Sequence, residues 1–284
     1  MAKVEIRDIV DRIQNLPTVP AVVTQILKMV NDPKSSANAV QAILGRDPSL
    51  TFKVLKLVNS AFYGYVGKIK TVHQAVVILG FNTIKSLALS ATVFSAFGGK
   101  GRDAFDRDAF WRHSIAVGVA GRMIAMEVNA EDPEEAFVAG IIHDVGKVVL
   151  DEYAPEYFDQ VLEYVQENDC LIYEAERKVL GSSHAQVGRW LAAKWGLPPE
   201  TIDVVFYHHQ PTNAKHAPQM TSIIHIADIL ARTLKLGSGG DNKIPPLDKG
   251  AWKIVGIEEG KLKNVLEKLP GEFAKADLFM QMVK

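Results

Sequence analysis

The chain has 284 residues, 48% of them apolar, with 32 basic against 33 acidic side chains for a formal net charge of −1. That apolar content can bury one large core or two ordinary ones, and the balanced charge excludes the broad positive field that would draw nucleic acid or an acidic membrane. The single cysteine, Cys170, excludes an internal disulfide, and no run of about 18 apolar residues reads as a membrane span.

The N-terminal stretch MAKVEIRDIVDRIQNL mixes charges through its apolar positions, unlike a signal peptide or a lipidation signal, so a cytoplasmic, reducing compartment is expected. After the turn LPTVP, Val19, Val22, Val23, Ile26, Leu27 and Val30 recur at helical spacing. Asp47 before Pro48 predicts an N-cap with proline at the first helical position, and Asp132 before Pro133, Glu134 and Glu135 repeats the device with acids at the positive end of the helix. Gly80 closes one predicted helix and Asn82 can cap the next. Asn59 and Ser60 sit at a helix end where capping suffices to explain them, and Phe62, Tyr63 and Tyr65 beside them read as packing between subdomains or as a contact surface.

About a dozen helices and no alternating run with hairpin turns predict an all-α fold, a multi-helix bundle with an N-terminal helical subdomain. The stretch GGKGRD, Gly98 to Asp103, is the expected boundary. It divides an N-terminal helical part, 1–100, from a helical domain, 101–236; a loop beginning GSGGDNKIPP and peripheral helices fill 237–284. Gly239, Gly240 and Asp241 match the start of a nucleotide-cyclase signature, but that signature needs its own α/β domain, so a flexible loop is expected instead. Glu167 and Asp169 near Cys170 should raise its thiol pKa, which argues against a nucleophile.

The chemistry gathers on histidines and aspartates. His113 shares a helical face with Val117, Ala120 and Ile124, and His184 shares one with Val187, Leu191 and Trp195. His208 and His209 end a helix carrying Ile202, Val205 and Phe206, and Asp228 lies on the stripe of Ile224, Ala231 and Leu234. In IIHDVGK, His143 and Asp144 end an apolar helix. A single histidine on an apolar face is ordinarily a satisfied core residue, but a carboxylate there needs a cation or several donors. Five histidines and two aspartates at inward faces or helix ends favour one shared metal site over seven separate accidents. Imidazole and carboxylate without cysteine suit Fe, Mn, Ni, Co or Zn, and Asp144, flanked by ligands, is the natural bridge between two ions. Lys147 alone would be a surface lysine; beside a metal pair it can hold a phosphate oxygen.

His113, then His143-Asp144, then Asp228 resemble the HD superfamily of metal-dependent phosphohydrolases. The motifs LPTVP, RDPSL at Arg46 to Leu50, LVNSAFYG at Leu57 to Gly64 and AVVILGFN at Ala75 to Asn82 resemble those of HDOD, the HD-related output domain of bacterial signalling proteins. SSHAQVGRWLAAKWGLP at Ser182 to Pro198 and YHHQP at Tyr207 to Pro211 continue the likeness.

HDOD proteins are described as regulatory modules that have lost metal ligands, whereas this sequence keeps the set that the related HD-GYP phosphodiesterases use. The resemblance implies that His113, His143, Asp144 and Asp228 hold one ion, and that Asp144, His184, His208 and His209 hold the second. Against HD-GYP enzymes, Gln210 stands where a glutamate usually follows the paired histidines, and the glycine-tyrosine-proline loop is absent from Gln210 to Met220. The resemblance thus implies a signalling module with a retained metal centre, binding a protein partner or a small phosphate-containing ligand. A metal-dependent phosphohydrolase or phosphodiesterase is the alternative, and ions that only tie helices together are a third reading.

Overall fold

The computed structural model describes residues 18–30, 36–98 and 101–283. The N-terminal stretch, Leu16 and Pro17 of LPTVP, and Gly99 and Lys100 of the boundary lie outside them. Every regular element among the described residues is helical, as expected. The first group is α1 (Ala21–Val30), α2 (Ala37–Leu44), α3 (Pro48–Val58) and α4 (Val72–Phe97). It begins as the spacing predicts, with Val23, Ile26 and Leu27 buried.

Asp47 caps α3 by accepting from Leu50 N at 2.9 Å. Asn59 goes further than a cap: its amide donates to Leu55 O and Ile69 O and its oxygen accepts from Ile69 N, pinning the connection between α3 and α4. Phe62 is buried against Phe137 and Phe279, and Tyr63 donates to Glu134, so these two aromatics are packing; Tyr65 is exposed.

By length and composition α4 could cross a membrane, the one such helix among the described residues. Most of that stretch is buried in the protein, and the helix breaks at Gly80, whose φ of 83° suits a residue without Cβ. Those are the features of a core helix.

The second group builds the site. It comprises α5 (Arg107–Glu127), α6 (Pro133–Ile142), α7 (Val145–Tyr153), α8 (Pro155–Asn168) and α9 (Ile172–Val179). After these come α10 (His184–Lys194), α11 (Pro199–Tyr207) and α12 (Pro218–Thr233), and the chain closes with α13 (Lys249–Val255), α14 (Glu259–Lys275) and α15 (Asp277–Val283). Helix α5 lies at the centre against α6 and α12, and α10 packs on α7 and α11.

Glycines allow the close crossings. A Cβ on Gly140 of α6 would collide with the backbone of Gly118 of α5, and one on Gly146 of α7 would collide with His184 O of α10. These two contacts draw His113 of α5, the His143-Asp144 doublet between α6 and α7, and His184 of α10 towards one another. Phe279 of α15 reaches the same interface, packing on Phe62 and Phe137.

Candidate metal centre

His143 is the C-cap residue that follows α6, and Asp144 is the N-cap residue that precedes α7. Asp47, Asp106 and Asp132 each cap the helix that follows them, whereas Asp144 makes no side-chain cap bond. Its carboxylate is instead turned into the interior, fully buried. Oδ1 lies 2.9 Å from His184 Nε2 and 3.4 Å from His208 Nε2, while Oδ2 lies 3.3 Å from His143 Nε2 and 2.6 Å from Lys147 Nζ. The two oxygens therefore face two different sets of histidines.

Two clusters result, Asp144 with His184, His208 and His209, and His113 with His143 and Asp228, each with its ligand atoms within 4.8 Å of one another. The structure thus brings together all seven residues singled out in the sequence. Lys147 is not a surface lysine but fully buried, its ammonium on Asp144.

Three histidines are oriented by what holds the far side of the ring. His143 Nδ1 is 2.6 Å from Gly140 O, His208 Nδ1 is 3.0 Å from Val205 O, and His184 Nδ1 is 2.6 Å from Glu176 Oε2. A carbonyl or carboxylate there accepts the Nδ1–H, so that in the neutral ring Nε2 carries the lone pair. Those Nε2 atoms point inward. His143 Nε2, both ring nitrogens of His113 and Asp144 Oδ1 are buried without a hydrogen bond, which is costly for polar atoms unless a cation compensates them.

His209 Nε2 and His208 Nε2 approach His184 Nε2 at 3.0 and 3.4 Å. Donor atoms about 3.0–3.4 Å apart are what a coordination radius of about 2.1 Å imposes on neighbouring corners of an octahedron or tetrahedron. The donor set therefore fits divalent first-row ions.

Electrostatics agree. Burial, then the neighbouring histidines, hold His209 well below the ordinary imidazole value, and burial pushes His208 down to about 4 and lowers His113. Neutral imidazoles are the form that ligates. Burial would raise the aspartates, but His143, Lys147 and His184 hold Asp144, and Arg232 and His113 hold Asp228, well below the carboxylate range. His184 moves the other way: burial lowers it, yet Glu176 and Asp144 outweigh that, so it must shed a proton to bind a metal.

The family model for the HDOD domain matches residues 16–211. The chain belongs to the HDOD family. An HDOD domain protein of unknown function from Geobacter sulfurreducens has the same fold, with 24% identity, 99% of both chains covered and a TM-score of 0.80. A candidate phosphohydrolase from Shewanella amazonensis SB2B superposes with a TM-score of 0.75 at 24% identity over 98% of both chains. An uncharacterised protein of Treponema pallidum (strain Nichols) is 25% identical over 273 residues, 93% of this chain and 51% of that one. The chain thus spans about half the length of that relative.

Around the HDOD centre stand residues that the sequence reading missed. Glu176 is fully buried and takes both the ring and the backbone N–H of His184. Arg232 donates to Asp228 and to Asp241, and Asp241 accepts from Ile172 N, so the glycine loop that the sequence reads as flexible clamps α9 to α12. His225 lies 2.8 Å from His208 O and accepts from Asp248 N. The i, i+4 spacing of Asp228 and Arg232 was the available signal. Cys170 carries a raised thiol pKa, as expected, though burial and then Glu174 are the causes ahead of Asp241 and Asp169.

The centre opens at its His209 end. A cleft of about 250 Å³ between α9 and the loop before α13 is lined by Tyr173, Arg177, His209, Pro245 and Pro246. Tyr173 packs on His209 with ring centroids 4.3 Å apart, and Arg177 lies over Tyr173.

Proposed function

We propose that this chain is a signalling HDOD module whose His/Asp centre binds metal and, through the cleft beside His209, a small phosphate-containing ligand, a state that a protein partner reads. The observation that carries it is the convergence of Nε2 lone pairs with both oxygens of a buried Asp144. Two ions are proposed, one among His113, His143, Asp144 and Asp228 and one among Asp144, His184, His208 and His209, with Fe, Mn, Ni, Co and Zn as the chemical class. When bound, such ions supply Lewis acidity that polarises a phosphoryl oxygen.

The protein's own residues do the rest. Glu176 and the carbonyls of Gly140 and Val205 fix the ring orientations. Arg177 at the cleft supplies positive charge for an anionic ligand, and Lys147, once drawn off Asp144, has the charge to steady a phosphate oxygen.

Hydrolysis of a phosphoester is the second reading. Retention of every ligand, including Asp144 facing both clusters, favours it. Gln210 and the missing loop set the chain apart from HD-GYP enzymes and favour binding without turnover.

Elemental analysis of anaerobically prepared protein and of Asp144→Ala tests the metal reading. The expected result is about two ions per chain, lost in the variant, as for a shared carboxylate in a two-metal site. Unchanged metal in Asp144→Ala would overturn the bridged centre. Phosphodiester and phosphomonoester turnover with added Mn or Fe, assayed next, would favour the enzyme; binding without turnover would favour the module.

A further inference from the structure

The two clusters have opposite surroundings. Behind the set of Asp144, His184, His208 and His209 stands an anion: Glu176, with no exposure, 2.6 Å from His184 Nδ1 and accepting His184 N–H at 2.8 Å. Around the set of His113, His143 and Asp228 stand cations. Lys147 Nζ is 2.6 Å from Asp144 Oδ2, the oxygen that faces His143, and Arg232 Nε is 2.8 Å from Asp228 Oδ1, the oxygen that approaches His113 Nε2 at 3.0 Å.

We infer that the half-sites are unequal: Asp144 Oδ1, His184, His208 and His209 hold one divalent ion tightly, and His113, His143, Asp228 and the other oxygen of Asp144 take a second that is weak and exchangeable. The inference rests on the metal reading above. A carboxylate behind a ligating imidazole orients the ring and raises its basicity. An ammonium and a guanidinium on the opposite side engage the very lone pairs a cation would need, and in a buried site their charge repels it with little screening. Asp241 faces Arg232 at 2.9 Å and offsets part of its charge, but Asp228 Oδ1 remains engaged. The second ion thus competes with Lys147 for Asp144 Oδ2 and with Arg232 for Asp228 Oδ1.

Equilibrium dialysis of chelator-treated protein against Mn(II), with bound metal counted by elemental analysis, tests this in the wild type, Glu176→Gln and Lys147→Met. Two classes of one ion each are expected, with dissociation constants at least about tenfold apart. Glu176→Gln should loosen the tight class by about 10–100-fold and spare the weak one. Lys147→Met, which keeps the apolar stem and removes the ammonium, should tighten the weak class. Circular dichroism confirms that each variant is folded; should Lys147→Met not fold, Arg232→Gln makes the same test from Asp228. Equal affinities in the wild type, or a second ion loosened by removal of the cation, would overturn the inequality and leave the metal reading standing. No bound ion in the wild type would remove both.

Discussion

The N-terminal helices and the His/Asp region bury polar groups in different ways. In α4, Thr83 donates to Leu79 O, Ser90 to Ser86 O and Thr92 to Ala88 O, so each hydroxyl is satisfied one turn back in its own helix. Between α5 and α12 the buried polar atoms come from different helices, face one another and include several with no hydrogen bond. Burial of polar groups is therefore not by itself a sign of a site. Convergence of unsatisfied acceptors from separate elements is, because an added cation relieves all of them at once.

Separating stability from metal content in the two regions would break or sharpen that contrast. Phe62→Ala removes an aromatic packed on Phe137 and Phe279 and should cost about 4 kcal/mol in denaturant unfolding, with metal per folded chain unchanged. Metal loss in that variant would mean the regions are not separable. Gly146→Ala, whose Cβ would meet His184 O, should cost about 3 kcal/mol and also lower metal content by pushing α7 off α10. Both readouts moving together is the signature of the site region.

Acid should act on the site region next. In chelated protein, unfolded chains take up a proton on the histidine near pH 6.5, whereas native His208 resists protonation until about 4. Stability should fall by about 3 kcal/mol as pH drops through that window, then level off for this group. Burial, then His208 and His184, lower His209 too, so it adds in the same direction. His184, raised by Glu176 and Asp144 against burial, adds stability that is lost only as pH rises past the ordinary imidazole value. Thermal melts of chelated protein across pH 4 to 7 check the sign. The smallest effect is Thr92→Val: its hydroxyl serves only Ala88 O, so unfolding should shift by no more than about 1 kcal/mol, and dialysis should find metal affinity unmoved.

The candidate ligand residues were legible because each breaks a simple pattern. A histidine or aspartate in phase with Val117, Ile224 or Leu191 sits where an apolar side chain belongs, and periodicity exposes it. The caps at Asp47 and Asp132 and the break at Gly80 were legible because proline, acids and glycine act locally. Glu176 was hidden, since beside Glu174, Arg177 and Lys178 it looks like one more residue of a solvated face. Its partner lies eight residues on, across a turn that no spacing rule describes. The burial of Lys147 was hidden for a related reason: a lysine after a glycine turn, taken alone, suggests solvent, and the packing of α7 on α10 buries it. Asp241 sits in a loop, where nothing in the sequence points to Arg232.

The candidate ligands are spread from His113 in α5 to Asp228 in α12. No shorter fragment contains them all, and a chain emerging from synthesis carries four of the five histidine ligands and Asp144 before its fifth, and Asp228 last of all. Contacts of such long sequence separation form late, after the cost of closing the intervening loops has been met. On the metal reading, uptake of both ions would report that the fold is complete from α5 through α12, and metal-free protein would lack the driving force that binding adds to that closure.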